Sequence, residues 1–167
     1  MYPCRCGFSR TNHYLGDYMS YNDLLKGRIS SSNQIYFITT VANKRSPFFS
    51  NLYIARKIIG EMRRLHDEEI VQSLAWVLMP DHLHWVFELG DKQDLASAMR
   101  LFKGRSAKTA NEILRRQGPV WQRTYFDHAI RGYENITEIT RYMVANPVRS
   151  GLVENIGDYP YWDAIWL

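Results

Sequence analysis

Residues 71–89 constrain the fold most, because they join two hydrophobic segments of different pattern through a turn. Residues 74–78 are continuously apolar, Pro80-Asp81 is typical of a tight connection, and the run that follows alternates in polarity. Side chains of a β-strand alternate between its two faces, so His82 and His84 share one face. The other face carries Leu83, Trp85, Phe87 and Leu89 and is predicted to pack on a core. The segment therefore predicts a β-hairpin with two neighbouring imidazoles.

Two imidazoles on one strand face suit a shared divalent metal ion, since neutral imidazole is a common metal ligand. A His-x-His pair also occurs as two half-exposed strand residues with no ligand, and that alternative stays open on this motif alone. The metal-site interpretation gains weight only from a second group of residues elsewhere in the chain.

That second group lies on a predicted helix over residues 135–146. Asn135 is a suitable N-cap with Glu138 three residues on, and Pro147 marks where the helix stops or kinks. Tyr142 and Asn146 are four residues apart, so they are expected on one helical face, one turn apart. A phenol and a carboxamide presented together could supply a nucleophile and a third metal ligand to one site.

A His-hydrophobic-His strand followed by a helical Tyr-x-x-x-Asn-Pro resembles the single-tyrosine HUH transposases of bacterial insertion sequences. Other segments resemble the subgroup of REP-associated tyrosine transposases: Gly27-Arg28-Ile29-Ser30, Tyr36-Phe37-Ile38-Thr39-Thr40, Trp121-Gln122, Asp127-His128-Ala129-Ile130-Arg131, the run from Asn146 to Val153, and the ending Trp162-Asp163-Ala164-Ile165-Trp166-Leu167. The similarity begins at about Leu25, so a transposase domain is expected over residues 25–167. Residues 1–24 are predicted to form an N-terminal arm of unassigned role.

The resemblance implies an active enzyme that cleaves and rejoins single-stranded DNA hairpins of repetitive extragenic palindromes (REP). It implies Tyr142 as the nucleophile that forms a covalent 5′-phosphotyrosine, and Mg²⁺ or Mn²⁺ held by His82, His84 and Asn146. Relatives pair their active sites in dimers or act as monomers, so the subunit number stays open. The hairpin sequence, the proton acceptor for Tyr142 and the choice between a mobile and a domesticated enzyme are open as well.

The predicted elements alternate as β-α-β-β-α-β-α. They comprise strands over 34–42, 71–79, 82–89 and 120–130, and helices over 51–67 (capped by Ser50), 94–116 (capped by Asp94) and 135–146. This order is typical of the split β-α-β, ferredoxin-like pattern. The expected fold is thus α+β, an antiparallel sheet with helices packed on it. By resemblance, the added C-terminal helix carries the nucleophilic tyrosine.

Composition is that of one globular domain, with 167 residues, 46% hydrophobic and 23% charged. Cys4 and Cys6 supply at most half of a zinc site, with His13 as a further candidate, and are expected to be reduced thiols. No run of 18 apolar residues and no signal-peptide core occur in the sequence. The protein is expected in the cytoplasm, associated with the nucleoid when bound to DNA.

Basic residues are concentrated on the second long helix. Between residues 99 and 116 the only acid is Glu112, and the basic residues are Arg100, Lys103, Arg105, Lys108, Arg115 and Arg116. Such a helix face is either simply solvated or meets a phosphate backbone, and the paired histidines and the tyrosine favour DNA. Exposed aromatics could stack bases; the candidates are Tyr125, Tyr133, Tyr159 and Tyr161.

Two other functions stay open. A ferredoxin-like nucleic-acid binding protein without catalysis would place aromatic residues on the open sheet face, where this chain has His82 and His84. A metal-dependent phosphohydrolase that uses bound water would favour more carboxylate ligands, and only Asp81 lies close in sequence.

Overall fold

The computed structural model describes residues 30–132 and 134–166. They form a mixed α/β fold around a five-stranded antiparallel sheet in the order β4-β1-β3-β2-β5. The strands are β1 (Ile35–Val41), β2 (Val71–Met79), β3 (His82–Leu89), β4 (Phe126–Ala129) and β5 (Trp162–Ala164). The predicted arm over residues 1–24, both cysteines, His13 and Tyr133 lie outside the described residues.

The sheet confirms the predicted ferredoxin-like pattern, because its first four strands are arranged β4-β1-β3-β2 with antiparallel neighbours throughout. β2 and β3 have the predicted bounds and are joined by a two-residue turn at Pro80-Asp81. β3 lies between β1 and β2, and β5 adds a further strand beyond β2. The hairpin that carries the histidines is therefore the centre of the sheet.

Within the described ranges, four helices accompany the sheet: α1 (Leu52–Asp67), α2 (Leu95–Leu114), α3 (Ile136–Val144) and the single turn α4 (Asn146–Arg149). Short 3₁₀ turns occupy Asn43–Arg45, Phe48–Ser50 and Ile156–Asp158. The Asp94 side chain accepts from the N–H of Ser97 and caps α2 as predicted. Asn135 likewise caps α3 by accepting from the N–H groups of Thr137 and Glu138.

The two sheet faces carry different cores. On one face, α1 and α2 pack on the apolar side chains of β3, with Trp85 and Phe102 fully buried against each other at 5.3 Å between ring centroids. On the other face, Met143 and Val144 of α3 pack with Val86 and the residues of β2 and β5. Because its side chains alternate between the two faces, β3 contributes to both cores.

Three predicted boundaries were wrong. The cap of α1 is Asn51, whose side chain accepts from the N–H groups of Tyr53 and Ile54, because Ser50 closes the preceding 3₁₀ turn. The strand expected over 120–130 is reduced to β4, with an isolated bridge between Ala42 and Trp121 before it. The helix expected over 135–146 ends at Val144 and restarts as α4.

The larger core should dominate stability. We expect Phe102→Ala to lower the free energy of unfolding by about 3–5 kcal/mol, because it leaves a cavity between Trp85 and Trp121. Urea denaturation followed by fluorescence measures the loss. Phe126→Ala is the matched control, since this ring is 41% exposed on β4 and should cost clearly less. Equal losses in the two variants would contradict this assignment of the core.

Candidate active site

His82 and His84 lie on the face of β3 that α3 covers, opposite Trp85 and Phe87. Their exposed fractions are only 1% and 7%, so the alternative of two half-exposed strand residues is wrong. The two rings contact each other edge to face with centroids 4.7 Å apart, and Phe37 stacks on His84 at 5.6 Å. The strand therefore holds two adjacent imidazoles in a largely dry environment.

Each ring is oriented by a neighbour that binds its Nδ1 atom. His82 Nδ1 donates to the Asp81 carboxylate at 2.5 Å, and His84 Nδ1 is 2.8 Å from the Thr39 hydroxyl on β1. Arg45 donates to the second oxygen of Asp81 at 3.1 Å. A metal-binding histidine usually donates its other ring N–H to a carboxylate, a carbonyl or water, as His82 does to Asp81, and it then coordinates through Nε2. The Thr39 hydroxyl can serve His84 in the same way when it accepts from Nδ1. Sequence reasoning assigned neither Asp81 nor Thr39 this role, because the Thr39 contact depends on the register of β1 and β3.

The electrostatics favour neutral imidazole. Burial, with the nearby charges of His82 and Arg149, lowers the pKa of His84 to about 3. Burial alone would raise the pKa of Asp81, but interactions with His82 and Arg45 outweigh it and hold the pKa below its usual value. His84 is thus neutral at physiological pH, the form that binds metals, beside an ionised carboxylate.

Tyr142 and Asn146 lie on either side of the break between α3 and α4. Tyr142 is in the last turn of α3 with its side chain 61% exposed, and Asn146 opens α4 and is half-buried. Pro147 occupies the first turn of α4, where its missing N–H costs nothing. The predicted kink at this proline is therefore present, but the chain resumes a helical turn beyond it.

Arg149 connects the two residues across this break, and sequence reasoning missed it. Its guanidinium lies 3.7 Å from the centroid of the Tyr142 ring and donates to the Tyr142 carbonyl at 2.6 Å. It also donates to the carboxamide oxygen of Asn146. The only signal in the sequence was the position of Arg149 within the Asn146–Val153 segment, which carried the family resemblance but no role.

The donor set fits a divalent cation in part. Among residues 30–132 and 134–166, no three His, Cys, Asp or Glu side chains cluster as metal ligands. The third ligand expected from the family resemblance, the Asn146 carboxamide, is a neutral oxygen donor of the kind that suits Mg²⁺ or Mn²⁺. In the structure this oxygen accepts from Arg149.

The basic residues of α2 divide into two kinds. Arg105 pairs with Glu61 and Glu68 of the α1 region, and Lys103 donates to main-chain carbonyls at 122–124. Arg100 and Lys108 are exposed. α2 also packs on the sheet face opposite the histidines, so any DNA it contacts lies across the sheet from Tyr142.

The candidate stacking aromatics have structural contacts. Tyr159 is buried and donates its hydroxyl to the Leu78 carbonyl at 2.7 Å, and Tyr161 packs edge to face on it at 5.8 Å. Tyr125 is half-buried, with the Lys103 ammonium 5.8 Å from its ring centroid. These positions indicate packing roles in the DNA-free protein.

Comparison with known proteins identifies the family. The sequence model described as "Transposase IS200 like" matches residues 30–146, most of the chain. The REP-associated tyrosine transposase of Escherichia coli K12 is 30% identical over 129 residues, which cover 75% of this chain and 73% of that protein. The chain belongs to the IS200-like transposase family. Within it, the resemblance to REP-associated tyrosine transposases is confirmed.

The transposase also shares its fold with a solved relative. A structure of a REP-associated tyrosine transposase bound to a REP hairpin aligns with a TM-score of 0.69 at 23% identity, covering 81% of this chain and 79% of the other. In the part of the chain that the structure describes, no helix is long and apolar enough to cross a membrane. The family assignment favours transposition over both a purely binding module and a water-dependent phosphohydrolase.

The exposed cations of α2 provide a test of its contact with DNA. If α2 binds phosphates, Arg100→Glu and Lys108→Glu should weaken binding to unrelated single strands, each lost contact reducing the slope of log K against log salt by ~0.7. Fluorescence anisotropy at several salt concentrations measures this slope. Lys103 and Arg105 are poor test positions, because their substitution also removes intramolecular bonds.

An unchanged salt slope in both reversal variants would show that DNA does not reach this helix. Arg63→Glu, an exposed position on α1, is the matched control for a general change in net charge.

Proposed function

We propose that this transposase cleaves and rejoins single-stranded DNA hairpins through a covalent bond between Tyr142 and a 5′ phosphate. The contact network of Arg149 carries the proposal. Its guanidinium binds both Tyr142 and Asn146, and its charge acts on His84. One side chain thus binds an exposed phenol and a carboxamide donor, and its charge also reaches the imidazole of His84.

In the proposed cleavage step, the Tyr142 oxygen bonds to the scissile phosphorus as the phenol loses its proton. The bond from phosphorus to the 3′ oxygen breaks, and that oxygen leaves as a hydroxyl after taking up a proton. The phosphotyrosine keeps the phosphate activated, so the 3′ hydroxyl of another strand can reverse the step and join the ends. No water is consumed, which suits strand transfer rather than hydrolysis.

His82, His84 and Asn146 would hold Mg²⁺ or Mn²⁺. Such a cation supplies Lewis-acid stabilisation of the charge that develops on the phosphoryl oxygens. Asp81 and Thr39 would not bind the cation themselves. Through their contacts with Nδ1 they would fix the orientation of each ring and so direct its Nε2 atom to the cation. The Asn146 carboxamide must turn from Arg149 to complete the donor set.

A REP-like DNA hairpin is the proposed substrate. Support comes from the relative of the same fold, which was solved with a REP hairpin, and from the net charge of +4. The hairpin stem would fix the enzyme on the DNA, and the single-stranded flank would reach Tyr142, whose exposed ring accepts an incoming strand without rearrangement of the core.

The nucleophile is tested by removing one oxygen atom. Tyr142→Phe keeps the ring under the Arg149 guanidinium, so stability and hairpin binding should change little. Cleavage and the covalent protein–DNA adduct should both disappear, which denaturing gels with labelled hairpin DNA and Mg²⁺ detect. Tyr53→Phe is the matched control, since Tyr53 is 72% exposed on α1 across the sheet and should leave the adduct intact.

Mass spectrometry of the adduct peptide gives the decisive position. A DNA-linked tyrosine elsewhere, at Tyr125 or Tyr161 for example, would overturn the assignment of the nucleophile while leaving the enzyme class in place.

The metal site is tested at the second histidine. His84→Ala should abolish divalent-dependent cleavage and reduce Mn²⁺ binding at least tenfold, and Thr39→Val should weaken Mn²⁺ binding about 10- to 100-fold because it frees the ring orientation. Titration calorimetry measures the affinity. Since His84 is buried, thermal unfolding must show that each variant is folded.

His128→Ala is the matched histidine control for the metal site. His128 pairs with Glu134 at 2.8 Å on the edge strand β4, and its removal should leave Mn²⁺ affinity unchanged. Full magnesium-dependent cleavage by folded His84→Ala would contradict the proposed site.

A further inference from the structure

Arg149 holds three groups of the site at once although its own side chain is exposed. It stacks on the Tyr142 ring, donates to the Tyr142 carbonyl and donates to the Asn146 carboxamide oxygen. These contacts cross the break at Ala145, where α3 has ended and α4 has not begun. The guanidinium therefore fixes the relative position of the last turn of α3 and the first residue of α4.

The same contacts oppose binding of a divalent cation. The Asn146 oxygen that would bind the metal is engaged as an acceptor by Arg149, so coordination has to displace that bond. The guanidinium also brings a positive charge into contact with that carboxamide, so it would repel a cation bound there.

A DNA phosphate would reverse both effects. Guanidinium groups bind phosphate oxygens through paired N–H donors, and such charge-assisted bonds are stronger than a bond to a neutral carboxamide. A phosphate at the exposed guanidinium would neutralise its charge and compete with the Asn146 oxygen for its N–H groups. The carboxamide would then be available to the cation.

We propose that Arg149 is a positioning residue that makes metal binding depend on DNA. Without DNA, its guanidinium retains the Asn146 oxygen beside Tyr142 and repels a cation from that oxygen. When the scissile strand arrives, its phosphate takes the guanidinium and releases Asn146 to the metal. This inference rests on the proposed metal site and adds the order of events: the enzyme is loaded for cleavage only when a phosphate is in place.

The experiment measures Mn²⁺ affinity of the full chain with and without a hairpin oligonucleotide. Electron paramagnetic resonance of free Mn²⁺ gives the affinity, with the oligonucleotide alone as a blank. All proteins carry Tyr142→Phe, so the DNA is not cleaved. In this parent, DNA should tighten Mn²⁺ binding by roughly 5- to 150-fold, the usual range of coupling between two sites.

Arg149→Met removes the charge and the donors without adding an oxygen ligand. It should bind Mn²⁺ more tightly than the parent without DNA and gain little further affinity when DNA is added. Arg149→Lys keeps the charge but lacks the planar pair of donors, so its DNA-free affinity should fall between the two. Arg141→Met, which removes an exposed charge from the last turn of α3, should behave as the parent.

The outcomes separate this inference from the proposed function. If Arg149→Met binds Mn²⁺ as weakly as the parent, or more weakly, without DNA, Arg149 is only a structural clamp and the inference is overturned. If His84→Ala still loses Mn²⁺ in that case, the metal site itself stands. If His84→Ala binds Mn²⁺ as well as the parent, both the proposed site and the inference fail. Thermal unfolding of each variant confirms that it is folded.

Discussion

The central strand β3 is buried on both faces, and the rest of the structure is organised around that constraint. One face needs apolar contacts, which Trp85 and Phe87 provide beneath α1 and α2. The other face carries two imidazoles at positions with almost no access to water. Buried polar groups are tolerated only when they are hydrogen-bonded, and here Asp81 and Thr39 provide a partner for the Nδ1 atom of each ring. In the proposed metal site, the same bonds would also orient the two rings toward the cation.

The sheet also lies between the larger hydrophobic core and the candidate site. The large aromatic core and the pairing of Arg105 with Glu61 and Glu68 lie on the α1–α2 side, whereas the histidines, Tyr142 and Asn146 lie on or beside the other face. A surface salt bridge contributes little to stability by itself. These two contacts matter for another reason: Arg105, which the sequence analysis predicted to bind DNA, is already paired with carboxylates. A DNA strand that reaches Tyr142 and also contacts α2 would therefore have to pass around the edge of the sheet.

The break between α3 and α4 lies between the two helical residues of the proposed site, Tyr142 and Asn146. An uninterrupted helix would fix Tyr142 and Asn146 one turn apart. Here α3 ends at Val144, and a new helical turn, α4, begins at Asn146 with Pro147 in its first turn. Side-chain hydrogen bonds from Arg149 to the Tyr142 carbonyl and the Asn146 carboxamide connect the two helices across this break. Side-chain bonds can be exchanged for a phosphate, while a continuous backbone ladder cannot, so the break is a natural position for a DNA-dependent step.

The sequence by itself determined the elements whose pattern is local. The period of two over His82–Leu89 and the Pro80-Asp81 turn predicted the central hairpin, and the caps Asp94 and Asn135 predicted the starts of α2 and α3. The order of elements predicted the ferredoxin-like sheet. The family followed from motifs of the same kind. Shorter signals failed at Ser50 and over 120–130, where neighbouring turns and the edge of the sheet decide how far an element extends.

Only the tertiary structure decided which partner each polar group has. Thr39 reaches His84 because β1 pairs with β3 in one particular register, and Lys103 turns to carbonyls that lie 19 to 21 residues further along the chain. Arg149 meets Tyr142, seven residues earlier in the chain, across the break between α3 and α4. A sequence pattern specifies the face on which a side chain lies, but the atoms it meets are set by long-range packing, which no local pattern contains.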